Sequence, residues 1–480
     1  MPKVGFVSLG CPKNLVDSEV MMGILQRSGC ELTSRADEAD VLVVNTCSFI
    51  APAEKESVET ILEMAEYKKF GTARKLIVAG CLVERHGNEI LEQIPEVDAV
   101  LGTGEVEHIL EAVAGELARE NSEAPAAPPA YLYHDLTPRI LATPRHAAYI
   151  KVAEGCDHPC TFCIIPQLRG RFRSRRLESV VREAEELAGR GVREVTLIGQ
   201  DTTSYGKDLG LREGLPVLLE RLAQVNDLPW VRFLYAYPNR VTPRLLETIA
   251  KYPRLVKYLD MPLQHASRSV LARMRRGSSG EAFLRLLERT RATIPGIALR
   301  TSFIVGFPGE TEADFRELSD FVRAAEFDWL GVFCYSDMED SQSFGLDTKV
   351  DGEIAAERRH HLMEIQREIS ARKLRKRIGQ RLLALLEGPS KESTLVWEAR
   401  LEAMAPEIDG KLYITDVSAA LDNTALEAGS FVRVQISETH DYDLAGRIVE
   451  VVEAPRHNAR RVAAGSRFDP AGAAPLRILA

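Results

Sequence analysis

Three cysteines lie close together in the middle of the chain, within the segment AYIKVAEGCDHPCTFCIIPQLRG at residues 148–170. Cys156, Cys160 and Cys163 follow one another with the spacing C-x3-C-x2-C. Three thiolates on one loop can hold a metal centre, but a closed zinc site needs four ligands. No fourth cysteine lies nearby, and His158, between two of the cysteines, is poorly placed to share one metal with them. The spacing favours a 4Fe–4S cluster with three cysteine ligands and one open iron, and three structural thiols are the alternative.

Three further cysteines follow apolar stretches near the N-terminus: Cys11 in SLGCPKN, Cys47 in VVNTCSF and Cys81 in VAGCLVE. Each stretch predicts a buried strand, so each cysteine lies just beyond the carboxyl end of a strand, where open α/β sheets bind their ligands. We therefore predict a second three-cysteine metal site assembled from three loops, although a single buried cysteine is more often a core residue. Cys30 and Cys334 have no such setting and are interpreted as structural.

The elements that would position the N-terminal cysteines alternate between strand and helix patterns, which is typical of a parallel sheet in an α/β fold. We expect residues 2–114 to form a flavodoxin-like domain. Residues 115–147 are rich in Ala, Pro and Glu and predict a linker that is partly disordered at its centre. The predicted strands of the domain are Val4–Leu9, Val41–Asn45, Leu76–Ala79 and Ala99–Leu101, and the predicted helices are Ser18–Arg27, Ala53–Lys68 and Glu84–Gln93.

Alternation of strands and helices resumes over residues 148–377, with six predicted strand–helix units instead of the eight of a closed barrel. This predicts an incomplete, open (β/α)6 barrel whose active site lies at the carboxyl ends of the strands. Distinctive sequences fall there: the cysteine loop, GQD at Gly199–Asp201, LQH at Leu263–His265 and FIVGFPGE at Phe303–Glu310. The predicted strands are Tyr149–Ala153, Glu194–Ile198, Val231–Tyr235, Lys257–Met261, Ala298–Val305 and Leu330–Cys334, and the predicted helices include Leu177–Gly189, Pro243–Lys251, Glu281–Thr293, Glu312–Ala325 and Glu353–Arg377.

The C-terminal part shows short β patterns with Gly and Asp at the bends, which predict a small antiparallel β-barrel over residues 380–451. Residues 453–480 lack periodicity and carry most of their charge as Arg, and we expect this tail to be disordered.

Composition places the chain among soluble globular proteins, with 45% apolar and 27% charged residues in 480. No apolar run approaches the roughly 18 residues of a membrane span, and we expect a cytoplasmic protein with reduced cysteines. The net charge is −9 and is unevenly distributed. Residues 381–450 contain 13 acidic and 6 basic side chains, a balance that disfavours phosphate backbones and favours a basic partner.

The C-x3-C-x2-C loop, with Phe162 just before its last cysteine, resembles the signature of the radical S-adenosylmethionine (SAM) superfamily. The resemblance implies that the open iron of a 4Fe–4S cluster chelates SAM, whose reductive cleavage gives a 5′-deoxyadenosyl radical. It also implies that Phe162 lies near the adenine and that Gly199, Gln200 and Asp201 help to hold the methionyl amino group, with Asp201 as its anionic partner. Further SAM contacts are expected at Gln264, His265, Val305 and Gly306.

The order of the three domains resembles that of the methylthiotransferases, in which a small C-terminal β-barrel of the TRAM type follows the radical SAM core. This resemblance covers about residues 2–450. It implies that Cys11, Cys47 and Cys81 hold a second 4Fe–4S cluster, which carries or delivers sulfur. Two SAM molecules would be used, one as methyl donor and one as radical source, to replace a C–H hydrogen by SCH3.

Several stretches are similar to the RimO-type branch of this family, which modifies the β-carbon of an aspartate in ribosomal protein S-twelve: SLGCPKNLVDSE, GCDHPCTFCIIPQLRG, LIGQDTTSYG, APEIDGKLYI and DYDLAG. The alternative is the MiaB-like branch, which modifies adenosine in tRNA and whose N-terminal motif is closer to YGCQMN. An acidic C-terminal barrel also disfavours RNA. The resemblance therefore implies a basic ribosomal protein as substrate, an electron donor such as flavodoxin or ferredoxin, no direct tRNA substrate and no membrane. A passive iron–sulfur scaffold or electron carrier is disfavoured because electron carriers complete their clusters with four cysteines.

Five arginines follow the cysteine loop. Such a run is usually a solvated face, but one or two of its members could instead bind a carboxylate of SAM or of the target aspartate in bidentate fashion. No acid–base residue can be assigned from the sequence. The arginines are Arg169, Arg171, Arg173, Arg175 and Arg176.

Overall fold

A computed structural model of the chain describes residues 2–116, 129–391, 393, 395–418 and 426–455. Its N-terminal domain is a five-stranded parallel sheet with the strand order 2-1-3-4-5, which is the flavodoxin-like order predicted above. The inner strands are buried along almost their whole length and mostly apolar, because helices cover both faces of the sheet. The strands are β1 (Lys3–Ser8), β2 (Glu31–Thr33), β3 (Val41–Thr46), β4 (Lys75–Gly80) and β5 (Ala99–Leu101), and the helices are α1 (Pro12–Arg27), α2 (Ala51–Phe70), α3 (Cys81–Gln93) and α4 (Ile109–Ala114).

Several elements of this domain differ from the sequence prediction: α3 begins three residues earlier, α4 was not predicted, and α1 and β2 differ as follows. Helix α1 begins at Pro12, where the fixed φ of proline suits the first turn of a helix, and not at Ser18. Its first turns are polar but buried, because Asn14, Asp17 and Ser18 contact other parts of the protein. Strand β2 was not predicted because it is a short, polar edge strand of three residues.

The central domain is an incomplete barrel of six parallel strands, as predicted. It consists of two three-stranded sheets, in the orders β6-β9-β10 and β11-β12-β13. Backbone hydrogen bonds join the two sheets, for example from the amide of Ala236 to the carbonyl of Asp260 at 2.9 Å. The barrel strands are β6 (Ala147–Lys151), β9 (Glu194–Ile198), β10 (Trp230–Phe233), β11 (Tyr258–Asp260), β12 (Ala298–Val305) and β13 (Trp329–Cys334), with a small pair β7 (Ala153–Glu154) and β8 (Arg173–Ser174).

Helices cover the outer face of the barrel. On β12, alternate residues such as Leu299 and Phe303 pack in the core under the helices, whereas Arg300, Ser302 and Ile304 are half-buried on the inner face. The alternation follows from the period of two in a strand. The helices are α5 (Ile165–Arg169), α6 (Leu177–Gly189), α7 (Gly214–Leu222), α8 (Pro243–Lys251), α9 (Arg268–Arg273), α10 (Gly280–Thr293), α11 (Glu312–Ala325) and α12 (Gly352–Arg375). No helix in the described ranges is long and apolar enough to cross a membrane.

The C-terminal domain is a small closed barrel of five strands, in the order β14-β15-β16-β18-β17. Neighbouring strands are antiparallel, as predicted, except for β16 and β18, which are parallel. Five strands cannot alternate in direction all the way around a closed ring, so one neighbouring pair must be parallel. The strands are β14 (Arg381–Pro389), β15 (Trp397–Leu401), β16 (Leu412–Val417), β17 (Phe431–Thr439) and β18 (Leu444–Glu453).

This barrel packs against the amino-terminal ends of the central strands. The indole of Trp329, the first residue of β13, donates to the carbonyl of Ala403 at 2.7 Å. Trp230, the first residue of β10, meets the edge of Phe431 with 5.0 Å between ring centroids. The C-terminal barrel therefore closes the end of the central barrel opposite to the one that carries the cysteine loop.

A buried ion-pair network holds the two barrels together. The Glu194 carboxylate is fully buried and accepts from Arg232 at 2.8 Å and from Arg400 of the C-terminal barrel at 2.6 Å. Burial would raise the pKa of Glu194, but the two arginines outweigh it and hold the pKa below its ordinary value. The carboxylate is therefore charged, and it compensates two buried cations.

Replacing Glu194 by Gln should destabilise the protein by about 3–5 kcal/mol, because it leaves two buried arginines short of one negative charge. Urea denaturation followed by tryptophan fluorescence would measure this, since Trp230 and Trp329 lie at the interface of the two barrels. The control is Glu450→Gln, which removes only an exposed pair with Arg433 and should change little. Equal midpoints for the two variants would contradict the importance of this network.

The segment before the central barrel has no regular secondary structure over residues 129–146 but is firmly anchored. Arg139 bridges Glu19 of α1 and Glu183 of α6. The hydroxyl of Tyr133 also donates to Glu183. The disorder predicted at the centre of the linker falls on residues 117–128, which lie outside the described residues, as does the predicted tail from residue 456 onward. Residue 453 belongs to β18, where it pairs with Arg193 at 2.7 Å.

Candidate active site

The three central cysteines lie on one loop between β7 and α5, beyond the carboxyl end of the first barrel strand. The loop is held by a hydrogen bond from the amide of Cys163 to the carbonyl of Cys160 at 3.2 Å. Arg276 donates to the thiol of Cys160 at 3.7 Å. Burial, followed by the charges of neighbouring thiols, raises the pKa of Cys163 to about 12, and burial raises that of Cys156 to about 11. Thiols this reluctant to ionise in the free protein need a metal to hold them as thiolates.

His158, between the first two cysteines, is directed away from metal binding by its neighbours. Its ring stacks on Tyr237 with 3.8 Å between centroids and an interplanar angle of 5°. Its Nε2 lies 2.7 Å from the Asp201 carboxylate. This agrees with the prediction that His158 does not share a metal with the cysteines.

The GQD loop follows β9 and contacts the cysteine loop. Asp201 is buried and accepts hydrogen bonds from Thr203 and Ser204 in addition to its contact with His158. Burial opposes ionisation of Asp201, but these contacts hold its pKa below the ordinary value. The Asp201 carboxylate thus anchors His158 here, and its role as partner of the SAM amino group stays a prediction. Gly199 lies at the same strand end, where a Cβ would lie 3.6 Å from the carbonyl oxygen of Ala153 in β7.

Gln200 has a free acceptor in this loop. Its Nε2 donates to Glu154 at 2.6 Å, while its Oε1 is buried and has no hydrogen-bond partner among the described residues. An unpaired buried acceptor is costly, and it is suited to the donor of a ligand. Contact of Gln200 with the SAM amino group stays a prediction, as it does for Asp201.

The other predicted SAM contacts lie at the carboxyl ends of β11 and β12. Gln264 has a left-handed backbone, with φ of 74°, and its carbonyl accepts from the amide of Ile304 at 2.8 Å. His265 is fully buried, and its Nδ1 accepts from the amide of Ser267 at 2.9 Å. Its Nε2 has no hydrogen-bond partner among the described residues. The histidine is thus fixed by the backbone on one side, and on the other its Nε2 lies 3.7 Å from the buried carboxylate of Glu310.

Val305 and Gly306 end β12 next to α12. Val305 is fully buried. Gly306 has φ of 75°, and a Cβ there would lie 2.5 Å from the Cβ of Ala355, so close packing already requires glycine. Phe162 is half-buried against an apolar group that includes Met274 and Phe307. All eight predicted SAM contacts therefore follow the carboxyl ends of barrel strands, but contact with SAM stays a prediction for each.

The three N-terminal cysteines follow β1, β3 and β4, which are neighbours in the sheet. Cys11 precedes α1, Cys47 follows β3 directly and Cys81 begins α3. Gly10, with φ of 85°, allows close approach of the first two loops, because a Cβ there would lie 2.6 Å from the Cβ of Cys47. The strand-end placement predicted from sequence is thus observed, and the sheet order brings the three loops together.

The surroundings of these thiols shift their pKa values in different directions. Burial, followed by the charges of Cys11 and Cys81, raises the pKa of Cys47 to about 12. Burial acts in the same direction on Cys11, but the positive charges of Lys13 and Arg169 outweigh it and lower the pKa of that thiol. The thiols are close enough to influence one another, and the cations on one side favour their ionised forms.

Arg169 links the N-terminal cysteines to the central domain. It lies at the end of α5, shortly after the central cysteine loop, and is 2% exposed. Its guanidinium donates to Asn14 and to the thiol of Cys81 at 3.6 Å. The same group pairs with Asp17 at 2.9 Å and with Glu154 at 3.2 Å. One buried side chain thus touches both domains and one predicted cluster ligand.

The remaining arginines of the run have different surroundings. Arg175 is buried and pairs with Glu183. Arg173 is half-buried and donates to the carbonyls of Arg169 and Arg171. Arg171 and Arg176 are exposed. The solvated-face interpretation therefore holds for these two, and binding of a carboxylate by a member of the run stays a prediction.

Both sites offer the three thiols that a 4Fe–4S cluster with one open iron would need. No group of three or more His, Cys, Asp or Glu side chains in the described parts of the chain is arranged to hold one metal ion. Each iron of a 4Fe–4S cluster takes a separate thiolate, so the cysteines around a cluster stand further apart than those around zinc. Each site offers three thiols, and the other cysteines are located elsewhere: Cys30 is buried before β2, and Cys334 is exposed at the end of β13.

Sequence reasoning missed several residues that the fold brings to this region. Lys13 lies over the ring of Tyr235, which follows β10. Arg276 lies over the ring of Tyr237, 4.4 Å from its centroid, while it donates to Cys160. A lysine beside a predicted metal ligand was a signal that could have identified Lys13. Arg276 follows a short helix far along the chain, and nothing in its local sequence marks it.

Comparison with known proteins agrees with this architecture. Three family models match the chain: Uncharacterized protein family UPF0004 over residues 3–102, Radical SAM superfamily over residues 150–322 and TRAM domain over residues 378–449. The fold is similar to that of the radical S-adenosylmethionine methyltransferase TsrM from Kitasatospora setae, with a TM-score of 0.52 and 18% identity over 70% of this chain and 75% of that chain. The fold and the cysteine loop define a radical SAM protein.

Named relatives show to which family of radical SAM proteins the chain belongs. The chain is 60% identical to the ribosomal protein uS12 methylthiotransferase RimO of Solibacter usitatus, over 94% of this chain and 96% of the relative. It is 45% identical to the protein of the same name from Desulforamulus reducens, over 94% of this chain and 100% of the relative. The chain belongs to the RimO family of radical SAM methylthiotransferases. The resemblance deduced from the motifs is confirmed, and SAM and 4Fe–4S clusters are the cofactors of this family.

Proposed function

We propose that this chain adds a methylthio group to the β-carbon of an aspartate in ribosomal protein uS12, in place of one hydrogen. The observation that carries the proposal is the presence of two separate three-cysteine sites in one chain, linked through Arg169. One site alone would serve radical chemistry. The second site provides a place for sulfur beside the first.

We further propose a ligand role for each set of cysteines. Cys156, Cys160 and Cys163 would hold the cluster that binds SAM, and Cys11, Cys47 and Cys81 would hold the other. When bound, the first cluster and SAM supply a radical that can attack an unactivated C–H bond, which no ordinary base could do. Three thiols at each site leave one iron open for a ligand.

The protein's own residues orient these groups. Arg276 donates to Cys160 and to the carbonyl of Pro262 at 2.6 Å, which fixes it beside the central cysteines. Arg169 likewise donates a hydrogen bond to the thiol of Cys81. Such cations stabilise thiolates and lower the energy of adding an electron nearby. The Gln200 acceptor and the half-buried inner face of β12 would contact SAM or substrate.

The charge of the C-terminal barrel supports a basic protein substrate. Exposed acidic side chains lie at the turn between β17 and β18 and on neighbouring strands, at Asp416, Glu438, Asp441 and Glu450. An acidic surface repels tRNA and attracts a basic ribosomal protein. Modification of tRNA is therefore not part of the proposal. We include a flavodoxin or ferredoxin as electron donor, since SAM cleavage needs an electron.

The test is reaction of the anaerobically reconstituted protein with uS12, SAM, sulfide and a reductant. We expect mass spectrometry to find one aspartate of uS12 heavier by a methylthio group in place of hydrogen, and binding of uS12 to weaken as salt rises. A tRNA anticodon arm serves as the alternative substrate. Modification of that RNA, with uS12 unchanged, would overturn the proposal.

A further inference from the structure

Lys13 places a buried ammonium group between the two cysteine sites. The residue is 8% exposed. Its Nζ lies 3.5 Å from the centroid of the Tyr235 ring. Within the described ranges no carboxylate forms an ion pair with it, whereas its neighbours Lys151 and Arg169 share Asp17 and Glu154. Lys13 is therefore a buried cation without a carboxylate partner among the described residues, although its charge favours ionisation of the Cys11 thiol.

Such a cation is unfavourable unless something compensates it. Removing an ammonium from water is costly, and buried charges are normally paired. The face of Tyr235 offsets part of this cost through a cation–π contact. An anion from outside the chain would offset the rest of this cost, so the site favours binding of such an anion.

The ring under Lys13 is held rigidly. Tyr235 has a left-handed backbone, with φ of 64°, which is uncommon for a bulky residue. Its amide donates to Asp260 at 2.9 Å, and its carbonyl accepts from the amide of Thr202 at 3.1 Å. Asp260 is itself fixed by Arg300. Backbone strain maintained by several contacts is typical of functional sites.

The position of this ring connects Lys13 to the central site. Thr202 follows Asp201 in the GQD loop, and Tyr237, two residues beyond Tyr235, stacks on His158 of the cysteine loop. Lys13 itself follows Cys11 by two residues. An anion on its ammonium would therefore lie near the N-terminal cysteines and at the strand end whose Tyr237 contacts the central cysteine loop.

The N-terminal thiols are the competing partner for this charge. Lys13 and Arg169 both favour ionisation of Cys11, but only Arg169 donates a hydrogen bond to one of these thiols, that of Cys81. The ammonium of Lys13 lies instead over an aromatic ring of the central domain. This placement favours a ligand that enters between the domains.

We propose that the Lys13 ammonium binds the carboxylate of the substrate's target side chain and so determines specificity for aspartate. This inference rests on the proposed function. The β-carbon of aspartate is bonded directly to its carboxyl carbon, so fixing the carboxylate also fixes the C–H bond that is replaced. One or two members of the arginine run were the sequence-based candidates for this role, as the alternative to a solvated face.

The experiment compares uS12 with a form in which Asn replaces the target aspartate. We expect the reconstituted wild-type protein to bind the Asp form more tightly by about 10- to 100-fold, the range for one charged hydrogen bond. Lys13→Met, of similar length but uncharged, should bind both forms equally weakly and modify neither. Lys13→Arg should restore part of the preference. Lys55→Met, at a fully exposed lysine, is the matched control and should behave as wild type.

Two further measurements, the iron content and the cleavage of SAM in the absence of uS12, show why Lys13→Met would fail to modify uS12. We expect Lys13→Met to retain both. If it loses iron, Lys13 serves the thiols and the inference is wrong. Equal affinity of the wild-type protein for the two uS12 forms would also overturn it, and this comparison needs no folded variant. If wild type modifies neither form and acts on another substrate, the proposed function itself has failed.

Discussion

Replacing Cys160 by Ala is expected to abolish SAM cleavage, whereas replacing Cys47 by Ala should leave cleavage intact and abolish methylthio transfer. Cys160 belongs to the central loop and receives a hydrogen bond from Arg276. Cys47 belongs to the N-terminal domain and packs against Gly10. The two sites lie on different domains, so loss of one ligand should empty only its own site. Iron should fall from about eight to about four atoms per chain in each variant.

The readouts are iron analysis, 5′-deoxyadenosine released upon reduction, and the mass of uS12. Cys334→Ala is the control, since this cysteine is exposed at the end of β13 and has no predicted ligand role. It should retain full iron and full activity. If Cys47→Ala kept its iron and transferred the methylthio group normally, the N-terminal site would not be a cluster site.

Replacing Arg169 by Met should destabilise the protein by about 3–5 kcal/mol, because it breaks a balanced buried network. Two cations, Arg169 and Lys151, share the two carboxylates of Asp17 and Glu154. Despite burial, these cations hold the pKa of Glu154 at about 2. Without Arg169, a buried negative charge remains uncompensated at the junction of the two domains. Unfolding in urea measures the loss.

Asp17→Asn tests this explanation when it is combined with Arg169→Met. The double variant restores charge balance, so it should recover part of the stability that Arg169→Met alone loses. Arg171→Met serves as the control because Arg171 is exposed and should tolerate the change. A double variant less stable than the sum of its single changes would show that charge balance is not the cause. Loss of the Arg169 contact to Cys81 should also make the N-terminal site lose iron more readily.

Local sequence predicted the elements well where apolar runs and helix ends agree. Leu177–Gly189, Pro243–Lys251 and Glu312–Ala325 are helices with the predicted bounds. Pro243 lies in the first turn of its helix, and Thr311 with Asp314 forms a capping box, so the sequence itself marks both starts. The cysteines of the N-terminal domain were located correctly because parallel strands of a sheet end at one edge.

The polar contacts between domains could not be predicted in this way. Arg169 looked like one member of a solvated run, yet its partners Asp17 and Asn14 lie more than 150 positions away in the sequence. The surroundings of Lys13 could not be predicted either, since its ammonium contacts Tyr235 of another domain. Long-range pairs leave no periodic signal, because nothing in the local chain depends on them.

The C-terminal barrel packs on the amino-terminal side of the central strands, and this sets a minimum size for the substrate. Strand β12 has eight residues, and at about 3.3 Å per residue it spans about 25 Å. A molecule that contacts the acidic barrel and also presents a side chain at the cysteine loops must bridge a comparable length. A folded protein with a protruding loop can do so, whereas a short peptide around the target aspartate cannot. Full-length uS12 should therefore be a much better substrate than any such peptide, even though both contain the same reacting carbon.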